Sequence, residues 1–254
     1  MPDETPTVLP PPPRDWTLQI AELLDINKAV RRVRLAGEGL ATLEYVPGQD
    51  MAISVEKPAG TMVRRRYTIC ALDRVAELVD IEVVTHDDGP GALWARNAPV
   101  GQAVEVVAPR GKIFLAGDVR RHIFLGDDAA VPAAMAMMDA LPPGSAAQAL
   151  LEVGDADEER DLVAPPGVEL TTSWLHRDGR EPGSPELLTE AAESVEAAGV
   201  REATAQYYVF GEFGVVRTLR ARFEDLGVDP ARLSTKAYWR RGLDNAPHGE
   251  PVKD

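Results

Sequence analysis

The sequence changes character near residue 118, and this constrains the fold more than any other feature. Up to about residue 117, segments 16–24, 29–36, 51–56, 63–71, 78–86 and 102–108 are short, rich in Val, Ile and Leu, and partly alternating. Gly and Pro separate several of them, at 37–39, 47–48, 58–60, 89–91 and 109–111. Runs of this length and punctuation predict strands. Six of them in about a hundred residues predict an antiparallel β-barrel. From residue 119, strand-like runs at 122–126, 147–153, 168–175, 206–210 and 233–238 alternate with helical stretches at 128–141, 185–198 and 214–226. That alternation predicts parallel strands joined by right-handed crossovers. An open sheet of this kind takes its ligands at the carboxyl ends of the strands.

The expected organisation has three parts. Residues 1–14 form a Pro-rich lead, whose run Pro10-Pro11-Pro12-Pro13 can join neither helix nor sheet. Residues 15–117 form the barrel domain. Residues 118–254 form the open α/β domain with a C-terminal tail.

Charge and cysteine usage narrow the function classes. The 254-residue chain carries 27 Lys+Arg against 41 Asp+Glu, a net charge of −14. Nucleic acid needs a basic footprint, whereas a small anion needs only a local cluster of cations. No apolar run approaches the ~20 residues of a membrane-spanning helix. The first residues lack the basic and apolar regions of a signal peptide. Cys70 is the single cysteine, so neither an intramolecular disulfide nor a four-cysteine metal site is available. His86, His122, His176 and His248 show no ligand spacing. These features predict a cytoplasmic, metal-free protein, monomeric or weakly dimeric, with no nucleic-acid partner and no membrane insertion. The acidic run 155–161 reads as a solvated loop.

Two segments of the barrel half carry chemistry. Arg64-Arg65-Arg66-Tyr67-Thr68 puts three adjacent cations in a strand, where they repel one another and make poor core. Alternation sets Arg65 and Tyr67 on one face and Arg64, Arg66 and Thr68 on the other. A tyrosine beside a guanidinium offers a ring to stack on a flat heterocycle and a clamp for phosphate; an exposed strand with a solvated face suits the same residues. The second segment, 86–95, sets Gly89, Pro90 and Gly91 before a short helix, leaving backbone N–H groups free for an anion. A helix cap with Trp94 in the core suits it equally.

In the second half no GxGxxG occurs. Instead Gly126-Asp127, Gly154-Asp155 and Gly211-Glu212 each end a strand. Glycine permits close approach of a ligand to the backbone, and a carboxylate there can accept ribose hydroxyls. Each pair is also simply a good turn.

Together these stretches resemble the siderophore-interacting proteins, FAD-dependent ferric-siderophore reductases of the ferredoxin-reductase-like superfamily. The resemblance rests on RRYTI at 65–69, HxxGPGALWA at 86–95, APRGKIF at 108–114, GDDAAVPA at 126–133 and WLHR at 174–177. It continues in GEFGVVRTLR at 211–220 and KAYWRRGLDNAPHGE at 236–250. It implies an N-terminal FAD-binding barrel and a C-terminal NAD(P)-binding α/β domain. Arg65 would bind the FAD pyrophosphate, with Arg66 beside it; Tyr67 would pack on the isoalloxazine and Thr68 would bond near its reactive edge. His86 and the backbone of Gly91, Ala92 and Leu93 would hold the diphosphate or adenosine part. Asp127, Asp128, Gly211 and Glu212 would face the nicotinamide nucleotide, and Tyr238 and Trp239 would shield the flavin. Arg177 stands where related reductases recognise the 2′-phosphate of NADPH; NADH is not excluded. Ala129 replaces the hydroxyl residue usual in the family, so its hydrogen bond is lost or supplied elsewhere.

The implied activity is NAD(P)H-dependent reduction of chelated Fe³⁺ to Fe²⁺. A flavin accepts an electron pair and releases single electrons, and siderophore oxygens hold Fe²⁺ far less tightly than Fe³⁺. No side chain need act as base or nucleophile. Lys57, Arg110, Lys112, Lys236 and Arg240 are the cations expected to meet an anionic ferric siderophore, with Arg64 or Arg66 as further candidates. A flavin reductase serving a protein partner and a non-catalytic ferric-siderophore binder are the competing readings.

Overall fold

The computed structural model describes residues 11–86, 88–197 and 205–243, and for 195–197 the backbone only. Residue 198, the last of the helical stretch expected at 185–198, residues 244–250 of the C-terminal motif, and His248 with them, lie outside the described residues.

Seven antiparallel strands build the first sheet: β1 (Arg14–Asp25), β2 (Val30–Ala36), β3 (Asp50–Glu56), β4 (Met62–Thr68), β5 (Ala71–Asp73), β6 (Leu78–Val84) and β7 (Ala103–Arg110). Their order is β4-β3-β7-β1-β2-β6-β5. The sheet curls until β4 lies beside β6, giving a half-barrel whose ladder ends at β4 and β5. The run expected at 63–71 is divided between β4 and β5 by Ile69 and Cys70. Alternation explains the curl's interior: Leu18, Ile20, Val33, Leu35, Met51, Ile53, Val79, Ile81, Val104 and Val106 all point into one core. Helix α1 (Pro90–Asn97) adds Trp94 and Ala95 to that core, so Trp94 is a packing residue.

The second sheet is all parallel, in the order β10-β9-β8-β11-β12. Its strands are β8 (Arg121–Gly126), β9 (Ala146–Val153), β10 (Glu169–His176), β11 (Ala205–Glu212) and β12 (Leu233–Trp239). Helix α2 (Val131–Met138) covers one face, and α3 (Glu186–Ala197) with α4 (Phe213–Asp225) covers the other. Buried on both faces, β11 is apolar almost throughout and no residue of it is exposed. In α4, Val215, Val216, Leu219 and Phe223 form the buried stripe, and the Glu212 carboxylate caps the helix by accepting from Val215 N. The chain starts at the central β8, moves outward through β9 and β10, and returns to β11 on β8's other side. This reversal opens a crevice at the strand carboxyl ends. The expected boundary at 117–118 falls in the connection between β7 and β8.

The acidic run 155–161 is a largely exposed loop, as its composition suggested, but it is also anchored at Asp155, Glu158 and Arg160. Asn27 Nδ2 donates to the Glu158 carbonyl at 3.0 Å, and Lys28 pairs with Asp155. Arg160 donates to the Glu82 carboxylate at 2.5 and 3.0 Å. The run docks on the half-barrel and ties the two domains together. Among the described residues no helix is long and apolar enough to cross a membrane.

Candidate functional site

The crevice of the second sheet opens against β4, β6 and α1 of the first. Between them lies a cleft of ≈ 570 Å³, within the size range of small-ligand sites. Its half-barrel wall carries Arg65, Arg66, Tyr67 and Thr68 from β4, His86, and Gly91 and Ala92 from α1. Asp128, Ala129, Lys236, Tyr238, Trp239 and Arg240 form the opposite wall.

The half-barrel wall has the chemistry of a dinucleotide cradle. Helix α1 begins after Gly89 with Pro90 in its first turn, and among the described residues no side chain caps it. Among the described residues the Gly91 and Ala92 N–H groups at this helix start have no backbone acceptor and can turn to a ligand. Gly91 presses on Tyr67 so closely that a Cβ built on it would lie 2.0 Å from the tyrosine hydroxyl. Tyr67 is part-buried against the half-barrel core, its ring 6.3 Å from that of Trp94 and nearly parallel to it. A guanidinium, an aromatic ring and helix N–H donors in one concave wall suit a flavin with a diphosphate tail. Leu93 follows in the same helical turn; its N–H is already bonded to the Gly89 carbonyl at 3.0 Å.

Outside the cleft lining, at the strand ends of the second sheet, lie carboxylates that are largely occupied. Asp127 is buried; Oδ1 accepts from Ala129 N at 3.0 Å, and Oδ2 accepts from Glu212 N and from Trp239 Nε1, each at 2.8 Å. Burial, helped by the adjacent Asp128 charge, raises the Asp127 pKa to about 7. Gly211 has φ +133°, and a Cβ there would sit 2.6 Å from the Asp127 carboxylate, so only glycine lets the two loops meet. Glu212 accepts from Val215 N at 3.0 Å and Arg241 N at 3.1 Å. Asp155 accepts from Asp157 N at 3.0 Å and pairs with Lys28.

Asp128 joins the two domains. Its Oδ2 meets His86 Nε2 at 3.0 Å and Arg177 Nη2 at 2.8 Å, and Arg177 Nη1 reaches Glu152 at 3.4 Å. Burial pushes the Asp128 pKa up, but the bond to His86 and the charge of Arg177 prevail and lower it. Arg177 is 5% exposed. A 2′-phosphate seeking that guanidinium would have to displace two carboxylates. Ala129 lines the cleft, and the hydroxyl missing there is not replaced by another hydroxyl on the same turn.

The five expected chelate cations are scattered. Lys236 and Arg240 line the cleft. The Lys236 side chain is only 12% exposed, bonded to Asp50 and 5.0 Å from the Tyr238 ring. Arg240 lies over Phe213 at 4.7 Å. Lys57 sits in the β3–β4 turn, and Arg110 and Lys112 lie at and just beyond the end of β7, none of them in the cleft lining. Arg64 is exposed on β4 outside that lining, whereas Arg66 lines it. Tyr238 lines the cleft, with its ring 5.7 Å from that of Phe210; burial pushes its pKa up.

Sequence reasoning missed Asp50, to which both Arg66 and Lys236 are bound. It also missed the rim residues Glu181 and Pro182. An acid opening a strand next to Pro47-Gly48 looks like a turn residue; only the pairing of β3 with β4 shows that it faces the arginines.

Comparison with known proteins agrees with this architecture. Residues 119–242 match the siderophore-interacting protein model, and residues 54–113 match the siderophore-interacting FAD-binding domain model. A siderophore utilization protein from T. fusca superposes with a TM-score of 0.84 at 30% identity, covering 95% of this chain and 98% of that one. The ferric vibriobactin reductase ViuB of Vibrio cholerae is 25% identical, with 89% of each chain covered. The NADPH-dependent ferric-chelate reductase of Escherichia coli is 26% identical over 77% of this chain and 74% of its own. The ferredoxin reductase in carbazole 1,9a-dioxygenase shares the fold at 16% identity, with a TM-score of 0.69 over 90% of this chain and 70% of its own. The architecture is thus ferredoxin-reductase-like, a curled antiparallel sheet followed by a parallel α/β sheet. Within that class, the chain belongs to the siderophore-interacting protein family.

Proposed function

We propose that the protein is an FAD-dependent NAD(P)H:ferric-siderophore oxidoreductase that reduces chelated Fe³⁺ to Fe²⁺ and so frees the iron. The observation that carries the reading is the two-walled cleft, with the N-terminus of helix α1, Arg65 and Tyr67 on one side and Lys236 and Arg240 on the other. FAD supplies the conversion of a two-electron donor to one-electron steps.

The protein's part is to bind, orient and exclude water. Arg65 and the α1 N–H groups hold the diphosphate, with His86 beside them. Tyr67 offers its ring to the isoalloxazine, and Thr68 bonds along its edge. Gly211 and the Asp127 turn shape the nucleotide side, with Glu212 and Trp239 bracing that turn. Lys236 and Arg240 face the ferric chelate across the cleft, with Lys57, Arg110 and Lys112 as outlying cations for a larger siderophore. One chain supplies every wall, so a monomer is sufficient. The donor dinucleotide belongs to the cytoplasm, and the reaction is placed there with it.

The test is reconstitution with FAD followed by a ferric-siderophore assay with a colorimetric ferrous chelator. Ferrous iron should appear only when protein, FAD and NAD(P)H are all present. Production that is indifferent to FAD overturns the reading.

A further inference from the structure

One buried carboxylate binds two cations of the cleft, one from each domain. Asp50, at the start of β3, is 2% exposed. Arg66 Nε and Nη2 donate to its two oxygens at 2.8 and 2.7 Å, and Lys236 Nζ donates to Oδ2 at 2.6 Å. All three residues line the cleft. Burial works to raise the Asp50 pKa, but Lys236 and Arg66 outweigh it and hold the carboxyl below its ordinary value. Two positive charges and one negative leave this patch with a single net positive charge. At the rim, Arg241 and Glu181 offset each other at 3.6 Å. Of the cleft's cations, Arg66, Lys236 and Arg241 are thus partly neutralised from within.

We propose that Asp50 is a charge-selecting residue: it cancels one unit of the positive charge that Arg66 and Lys236 offer to the chelate, and so favours ferric hydroxamates of low net charge over ferric tris-catecholates. The proposal rests on the reading of the cleft as a ferric-siderophore reductase site. Three hydroxamates, with one negative charge each, neutralise Fe³⁺. Three catecholates, with two each, leave a trianion. A neutral complex gains little from an added unit of positive charge nearby, whereas a trianion gains three times what a monoanion does. Through a largely aqueous path of roughly 8 Å that difference amounts to about tenfold in affinity.

The experiment compares wild type with Asp50→Asn, Asp50→Glu and Lys236→Gln, each loaded with FAD and checked for bleaching by NAD(P)H. For each, kcat/KM is measured with a neutral ferric tris-hydroxamate and a trianionic ferric tris-catecholate, at low and high salt. The catecholate-to-hydroxamate ratio should rise about tenfold in Asp50→Asn, chiefly through KM, and the gain should shrink at high salt. It should stay near wild type in Asp50→Glu and fall in Lys236→Gln. A role confined to holding the domains together would lower both substrates alike. Ratios unchanged in Asp50→Asn and Lys236→Gln overturn the proposal, and if Asp50→Asn does not retain FAD, an unchanged ratio in Lys236→Gln overturns it alone. A wild type that bleaches normally but reduces neither chelate defeats the ferric-reductase reading itself, and the proposal falls with it.

Discussion

Asp128, from the loop after β8, accepts from both His86 of the half-barrel, at 3.0 Å, and the buried Arg177 of its own domain, at 2.8 Å. One carboxylate thereby fixes the position of the β8 turn relative to the proposed flavin wall. Arg177 is part of this internal arrangement, with Glu152 as its second acid. Arg177→Ala would leave Asp128 and Glu152 short of a buried partner, which costs roughly 3–5 kcal/mol. Denaturant unfolding should report that loss, while the NADPH-to-NADH ratio of KM values should change little. A large shift in that ratio with stability retained would instead assign Arg177 to the 2′-phosphate.

Asp127 makes stability depend on pH in the unusual direction. Its carboxyl rises from an ordinary value of 3.8 to about 7 on folding. The folded state therefore holds a proton that the unfolded chain has already released between those limits. Stability from this group is full below about pH 4 and declines as pH rises towards 7, by at most about 1.4 kcal/mol per pH unit. Asp50 and Asp128, whose values are lowered, act oppositely and lose their contribution only as pH falls below the ordinary carboxylate range. Thermal melts of wild type and Asp127→Asn across pH 4–8 should differ in slope between 4 and 7, whatever their offset. Parallel profiles would show that Asp127 titrates normally.

Gly91→Ala should empty the flavin site without unfolding the protein. The added methyl collides with Tyr67, and overpacking of this kind costs roughly 1–3 kcal/mol. That corresponds to about five- to 150-fold in FAD affinity. Titration by flavin fluorescence quenching measures it, and wild-type affinity would mean that Tyr67 is not part of the cradle.

Arg160→Ala should loosen the contact between the domains. Glu82, 6% exposed, would keep Arg32 but lose the guanidinium that arrives from the second domain. Removing one partner of a buried ion pair costs on the order of 3 kcal/mol. The melting temperature should fall markedly, and an unchanged value would show that the 155–161 run carries no load.

The strand and helix segments were legible because each is written locally, as alternation in the half-barrel and as apolar runs between amphipathic helices in the second domain. The Arg-Tyr-Thr strand and the Gly-Pro-Gly helix start stood out because both break local rules, with charge in a strand and glycines on either side of a helix-opening proline. Asp50, Arg160 and the Asp128 junction were illegible for a shared reason: each works through partners on distant strands or in the other domain. Residues 155–161 are largely solvated as read, but composition hides the anchors Asn27, Lys28 and Glu82. The Gly-acid pairs at 126–127 and 211–212 read as ribose acceptors, yet their carboxylates are engaged by backbone N–H groups and Trp239. A sequence does not show whether an acid's lone pairs are already taken.

The most direct test of the central claim is an anaerobic spectroscopic cycle on the FAD-loaded protein. NAD(P)H should bleach the bound flavin, and a ferric siderophore added afterwards should restore the oxidised spectrum, releasing about two ferrous ions per flavin. A reduced flavin that persists in the presence of excess ferric chelates would contradict the account.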